Sequence, residues 1–392
     1  MNALPSTPTK RALVASDSPI ARDPRVLRQI NWLTQLGWRV DTVGRGPRPS
    51  QLNGSHESIP RRSALARIAA YLLLPNRLKY RVLLSSTIPN PLRHGHVAER
   101  YDLVLLNEIE MLPWFDDVRA RLLEPHGTSH LDLHEYAPSQ RAGFAYRLVF
   151  KRFRDWMTSF IPSPAIDSRS TVGDGIAGLY VSHFGIPRPS IVRSCPDFVD
   201  QEPSAVDAEN IRLIHHGVAS NTRSLDRLIS AMAVAEDRFS LELMLVGSAE
   251  ALAPLKKLAE PFGDRVRFRD PVKVHEIPSA INASDIELIF FPPVNDNLRF
   301  ALPNKFFEAV QGRLAVVTGE SQEMVNVINE YGNGAVVNGW TAQDLGSRLN
   351  QLTASEITQM KTAAHRAAHQ LSAESERARF IDAVFGEDDT RA

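Results

Sequence analysis

The stretch LPNKFFEAVQGRLAVV at residues 302–317 leaves few choices of fold. Pro303 suits the first turn of a helix, because it lacks the N–H that a helix start leaves unpaired. Gly312 is expected to take the left-handed cap that ends the helix. Residues 314–317 are then a continuous apolar run, the pattern of a parallel strand covered on both faces. Asn304 and Lys305 fall in the first helical turn, where free N–H groups and the positive end of the dipole attract phosphate. Glu308 lies one turn after Asn304 on the same face, where a carboxylate can accept two hydrogen bonds from the vicinal hydroxyls of a ribose. An ordinary capped helix followed by a core strand accounts for the same residues without a ligand.

The alternation of strand and helix runs through the rest of the chain. Residues 11–16 read as a short apolar strand, followed by a loop with Asp23 as N-cap and Pro24 at the first helical position. The next helix puts Val26, Leu27, Ile30, Leu33 and Leu36 on one face; Gly37 ends it, and residues 38–43 form a second strand. This unit opens a doubly wound sheet. It has no Gly-x-Gly-x-x-Gly fingerprint, which argues against a dinucleotide site. Residues 101–106 and 131–133 are further buried strands. Asn107 and Glu110 follow the first, and His134 and Glu135 the second, at the carboxyl ends where α/β sheets place ligands. Residues 191–193 close a first domain over 11–193, and a Pro-, Asp-, Glu- and Ser-rich linker covers 194–210. A second domain over 211–365 opens with a strand at 211–214 and a loop at 215–224. A single helix is expected over 354–385, and residues 1–10 read as a disordered tail.

A chain of 392 residues suggests two or more domains. Cys195, the one cysteine, excludes an intramolecular disulfide framework, fits a reducing cytosol and reads as a packed apolar side chain. No run approaches the 18 or more apolar residues of a membrane span, and residues 1–11 lack the apolar core of a signal peptide. A cytoplasmic protein is expected, with no nucleic-acid partner. The formal charge sums to zero, but residues 1–100 hold 16 basic against 5 acidic residues. That asymmetry points to an acidic partner, such as a membrane surface or a phosphorylated acceptor. Residues 61–84 alternate arginines with Leu65, Ile68, Tyr71, Leu72, Leu73 and Leu74, and residues 141–156 interleave aromatics with basic side chains in the same manner. A basic amphipathic helix of this kind lies on an anionic bilayer; a surface helix with its leucines in the domain core is the other reading.

The 302–317 stretch resembles the nucleotide-sugar signature of GT-B glycosyltransferases, a mostly retaining group built from two Rossmann-like domains. Glu308 matches the second glutamate of that signature and Gly312 its glycine, whereas the first glutamate would fall at Phe300 and is absent. The resemblance implies a glycosyltransferase moving a hexose-type sugar from a UDP- or GDP-type donor to a glycan, lipid-linked or other hydroxyl acceptor, with retention. It places Gly217, Arg223, Gly247, Val272, Asn304, Lys305 and Glu308 on the donor, and His134 and Glu135 in the catalytic cleft. It places Arg22, Arg25, Asn107 and Glu110 towards the acceptor, and returns the segment from 366 to the first domain. His215 and His216 have no third ligand at a usual metal spacing, and the chain has no Asp-x-Asp triplet, so neither metal nor cofactor is expected. A 2-epimerase acting on UDP-N-acetylglucosamine shares this architecture, and the missing glutamate makes a silent sugar-nucleotide-binding module a third reading.

Overall fold

The computed structural model describes residues 10–139, 150–220 and 224–386. The chain divides into two compact units: residues 1–192 with 379–392, and residues 193–378.

The first unit is built on seven parallel strands. They are β1 (Arg11–Pro19), β2 (Arg39–Arg45), β3 (His56–Ser58), β4 (Tyr101–Asn107), β5 (Leu123–Leu133), β6 (Ser168–Thr171) and β7 (Ser190–Ile191), in the order β3-β2-β1-β4-β5-β6-β7. The strand order reverses between β1 and β4, the switch point at which such sheets hold ligands. Ala12 to Ala15 and Leu103 to Leu106 are wholly buried at the centre, as parallel strands covered on both faces require. The Pro24–Gln35 helix starts as expected: the Asp23 side chain accepts from the N–H groups of Arg25 and Val26, with Pro24 in the first turn. Leu36, expected on its buried face, is exposed. After Arg379 the chain adds Phe380 to this core, 5.2 Å from Trp32 and 6.2 Å from His130 between ring centres.

A buried charge sits at the middle of this unit. Asp132, on β5, accepts from Arg25 Nε at 2.6 Å, Arg25 Nη2 at 2.7 Å, Ser170 Oγ at 2.7 Å and Gln29 Nε2 at 2.5 Å. Arg25 Nη1 donates to the Val192 carbonyl at 2.8 Å. Burial alone would raise the Asp132 pKa, yet Arg25 and His134 hold it well below the usual carboxylate range.

The 61–84 segment folds as two helices, Ala64–Leu73 and Asn76–Leu83, because Pro75 cannot continue the first and starts the second. Ala70 and Tyr80 are buried, but most of the large aliphatic side chains do not enter the core. Leu65 is 81% exposed, Leu73 78%, Leu72 66% and Ile68 57%, which removes the reading in which they are core leucines. Of the 141–156 segment, residues 141–149 lie outside the described residues; Phe153 is buried on the Lys151–Thr158 helix.

The second unit carries β8 (Ile211–Val218), β9 (Phe239–Val246), β10 (Val266–Arg269), β11 (Ile286–Ile289), β12 (Ala315–Gly319) and β13 (Gly334–Val337), all parallel, in the order β10-β9-β8-β11-β12-β13. Its switch point lies between β8 and β11. Apolar clusters cover both faces: Leu213, Leu241 and Leu288 face one, and Ile214, Phe306 and Val316 the other.

Four expectations change here. The 215–224 loop starts later, because His215, His216 and Gly217 continue β8. Gly312 keeps right-handed helical angles (φ −73°), and the left-handed residue is Arg313 at φ 62°. Gly312 is needed for space instead, since a Cβ there would stand 2.7 Å from Ile281 Cγ1. Arg313 is anchored by Nη2–H on the Val199 carbonyl at 2.6 Å and Nε–H on the Gln201 carbonyl at 3.0 Å. The expected helix over 354–385 is broken into Ala354–Ala367 and Ala373–Phe385, and Gln311 Nε2 donates to the freed Ala368 and Leu371 carbonyls at 2.6 and 3.1 Å. The segment expected as a linker packs onto this unit: Cys195 is fully buried, Val199 N–H donates to Gln311 Oε1 at 3.1 Å, and Arg193 pairs with Glu376 at 2.7 Å. The second unit therefore takes in residues on both sides of the expected 211–365 range.

Removing one partner of a buried pair leaves the other charge without compensation. Asp132→Ala is expected to destabilise the first unit by about 3 to 5 kcal/mol, read from denaturant midpoints at constant slope; a loss below about 1 kcal/mol would show that Arg25 finds water or another acceptor.

Candidate functional sites

In the second unit the charged residues of the 302–317 stretch meet the carboxyl end of β8. The Asn304–Gln311 helix starts after Pro303, which is its N-cap rather than its first helical residue, and no side chain caps its first turn. Lys305 turns its ammonium onto β8, donating to the His216 carbonyl at 2.6 Å and to His215 Nε2 at 3.1 Å. His215 Nδ1–H in turn donates to the Leu288 carbonyl at 2.6 Å, which leaves Nε2 as acceptor. Gly217 has φ 129°, and a Cβ there would lie 3.1 Å from Lys305 Nζ, so the glycine makes room for the lysine.

One turn on, Glu308 is held from below. His216 donates from Nε2 to Glu308 Oε2 at 2.8 Å and from Nδ1 to Glu287 Oε2 at 3.0 Å. Burial would lower the His216 pKa, but Glu287 and Glu308 overturn that and raise it to about 9. The ring is therefore an imidazolium at neutral pH, with both nitrogens donating. In the sequence His216 signals a metal only as half of a histidine pair, and Glu287 belongs to no motif. The one sequence signal for it is a carboxylate interrupting the apolar run of β11.

Asn304 is exposed at the helix start, Gly247 is exposed directly after β9, and Val272 packs on the apolar cluster beneath Phe306. Arg223 lies outside the described residues. Phe300, where the absent glutamate would fall, is largely buried with the Arg299 guanidinium 5.1 Å from its ring centre.

In the first unit His134 stands just past β5. Its Nε2 lies 2.9 Å from Asn107 Oδ1 and 3.2 Å from Asp132 Oδ2, and its backbone N–H donates to Glu108 Oε1 at 3.0 Å. Burial lowers its pKa, but Asp132 outweighs this and the net direction is up. Asn107 is wholly buried, and its Nδ2 has no acceptor among the described residues. Glu108, directly after β4, has φ 66° and ψ 174°, a region that side chains other than glycine's rarely enter. Burial pushes its carboxyl up to about 7, opposed by His134 and reinforced by Glu110 and Glu135. Glu108 is the carboxylate that the sequence did not single out, because its neighbour Glu110 looks equivalent. Glu110 instead faces Arg154, 3.5 Å from Nη1. Glu135 is exposed, as is Arg22. Arg25 is a correction: it does not face an acceptor, because its guanidinium is buried against Asp132.

Residues 210–355 match the family model described as glycosyl transferases group 1. The chain carries a group 1 glycosyltransferase domain. Solved structures place the whole chain in the GT-B fold. Sucrose-phosphate synthase from Thermosynechococcus elongatus aligns over 95% of this chain and 97% of its own, with a TM-score of 0.72 and 12% identity. WaaG, a glycosyltransferase involved in lipopolysaccharide biosynthesis, aligns over 96% and 100%, with a TM-score of 0.65 and 16% identity. Anabaena HepE, solved in complex with UDP, aligns over 95% and 98%, with a TM-score of 0.66 and 13% identity. No curated protein matches the chain in sequence. Within this glycosyltransferase domain, Lys305, Glu308, His216 and Glu287 form one connected polar group at the β8–β11 switch point.

Because the His216 pKa is raised when this domain folds, its stabilising contribution is fully present below the unfolded value near 6.5 and is lost as pH rises through about 9. Unfolding free energy of the chain is expected to fall across that window, with a flatter slope in His216→Gln; parallel slopes would refute the charged state.

Proposed function

We propose that this GT-B transferase moves a hexose-type sugar from a UDP- or GDP-type nucleotide sugar to a hydroxyl of a glycan or lipid-linked acceptor, with retention and without a resident metal or cofactor. The observation that carries this reading is the Lys305–His216–Glu308 group at the switch point of the second sheet. Glu308 Oε2 is taken by His216, so the carboxylate keeps one orientation. Its other oxygen would receive the ribose hydroxyls. Lys305 and the start of the Asn304–Gln311 helix would stabilise charge on the departing diphosphate, an electrostatic task that requires positive groups fixed in advance. Asn304, Gly217, Gly247 and Val272 would line the donor, and Arg223 would add a second cation to its phosphates.

In the first unit, His134 would hydrogen-bond the transferred sugar, its ring fixed by Asn107 and Asp132. Glu108, with a carboxyl titrating at about 7, and Glu135 would line the same carboxyl edge. Retention would leave proton removal from the acceptor to the leaving phosphate itself.

We also propose that the protein works at the cytoplasmic face of a membrane. Among the described residues no helix is long and apolar enough to cross one. The support is the surface made by the helices Ala64–Leu73 and Asn76–Leu83. Leu65, Ile68, Leu72 and Leu73 point outward there, with the exposed Arg77 and Arg81 beside them.

Two measurements test these readings. Thermal stabilisation is compared across UDP, GDP, dTDP and CDP; at a hundred times its Kd, a bound nucleotide adds about 2.7 kcal/mol. A shift with one nucleotide that disappears in Glu308→Gln is expected, and no shift with any of them would sink the donor assignment. Sedimentation with phosphatidylglycerol vesicles at low salt is expected to retain the chain and to release Leu65→Ser/Leu72→Ser; equal retention of both proteins would remove the membrane surface.

A further inference from the structure

A cavity of about 200 Å³ opens in the first unit beside the carboxyl ends of β1 and β2. Five arginines line it, Arg45, Arg61, Arg62, Arg67 and Arg154, against only two carboxylates, Asp17 and Glu110. Part of that charge is compensated. Arg45 Nη2 meets Asp17 Oδ1 at 2.6 Å, Arg154 Nη1 lies 3.5 Å from Glu110, Arg62 donates to Ser86 Oγ at 2.7 Å, and Arg154 Nε donates to the Ala137 carbonyl at 2.7 Å. The remainder is not. Among the described residues, Arg45 Nη1 and Arg154 Nη2 are buried with no acceptor, and the Arg61 and Arg67 side chains make no hydrogen bond or ion pair.

Buried guanidinium donors without acceptors are costly, and several arginines converging on one space repel each other. The repulsion falls when an anion enters. A tetrahedral anion with three or four oxygens suits several guanidinium forks at once, which a single carboxylate does not. Aromatic side chains form another wall: Tyr71 stands edge-on to Phe150 at 4.5 Å and to Phe153 at 5.7 Å. An apolar wall beside an anion subsite fits the organic part of an ester. The cavity shares no residue with the Lys305–Glu308 group and lies at the carboxyl edge of the other sheet.

We propose that this cavity binds a phosphate monoester or diester, seated on Arg61 and Arg67, with the other lining arginines adding to the positive field. The proposal rests on the glycosyltransferase reading only in taking that ester to be the acceptor's anchor. The phosphate could come from a soluble sugar phosphate or from a lipid headgroup. Arg67 and Tyr71 belong to the Ala64–Leu73 helix, whose other face carries the exposed leucines, so a headgroup is within reach of the cavity.

The test uses the full chain and calorimetric titration with sulfate and with glycerol 3-phosphate, alongside Arg61→Gln/Arg67→Gln. These two side chains make no hydrogen bond or ion pair with the described residues, so the double variant is expected to melt close to the parent. It is expected to lose about tenfold or more in affinity for both ligands, while nucleotide stabilisation is unchanged. Vesicles of phosphatidic acid form the second arm. Retention that falls in the double variant assigns a lipid phosphate, and glycerol 3-phosphate binding without vesicle retention assigns a soluble one. The proposal is overturned if the parent binds neither sulfate, glycerol 3-phosphate nor vesicles, or if the double variant and Arg154→Gln both bind them as the parent does. Loss of nucleotide binding in Glu308→Gln bears on the donor site alone and leaves this result to stand or fall separately.

Discussion

An imidazolium between two carboxylates is the interaction on which the second unit's polar edge depends. Placing Glu287 in the middle of a buried strand would be strongly unfavourable by itself. His216 on the neighbouring strand compensates it at 3.0 Å and uses its second nitrogen on Glu308 at 2.8 Å. Each member is then satisfied only while the other two stay in place. The parallel register of β8 against β11 sets the distance, with Ile214 beside Glu287. A carboxylate held in this way cannot turn with its own rotamers, so the sheet itself aims Glu308. Lys305 joins the same assembly through the His216 carbonyl, which places opposite charges one helical turn apart on a rigid support.

The first unit solves a similar problem with different residues. Asp132 is the buried anion, Arg25 the compensating cation, and His134 the side chain carried to the carboxyl edge. Here too a side chain at the sheet's edge is positioned by a buried charge. His130, two residues before Asp132 on the same strand, shows the contrast. Its partners are the hydroxyls of Ser168 and Ser170 rather than a carboxylate, and burial pushes its pKa down to about 4. Two histidines four residues apart are thus shifted in opposite directions by what they face.

The alternation of strands and helices, the two-domain division and the helix that carries Lys305 and Glu308 were legible in the sequence, because apolar runs and caps are local signals. Asp23 and Pro24 start their helix as read. The buried polar partners were not legible. Glu287, Asp132 and Gln29 become meaningful only when strands far apart in sequence align, and a charge within an apolar run gives no hint of its counter-charge. Arg25 was misread for the same reason: a basic residue in a first helical turn looks solvated until Asp132, 107 positions away, is placed against it. Gly312 was misread because its role is room for Ile281, which no local pattern encodes. The outward leucines of the Ala64–Leu73 helix were visible as an amphipathic pattern, but the pattern does not say which side faces water.

Glu108 has one further consequence. Its backbone occupies a region that costs roughly 1 to 3 kcal/mol for a residue with a side chain. Glycine would adopt the same angles without that cost, and would remove the carboxylate that receives the His134 N–H. The chain thus keeps a bent spring at the end of β4. Relaxing it would favour the folded state and loosen the turn that carries His134, so at this position the fold's stability and the order of its polar edge pull in opposite directions.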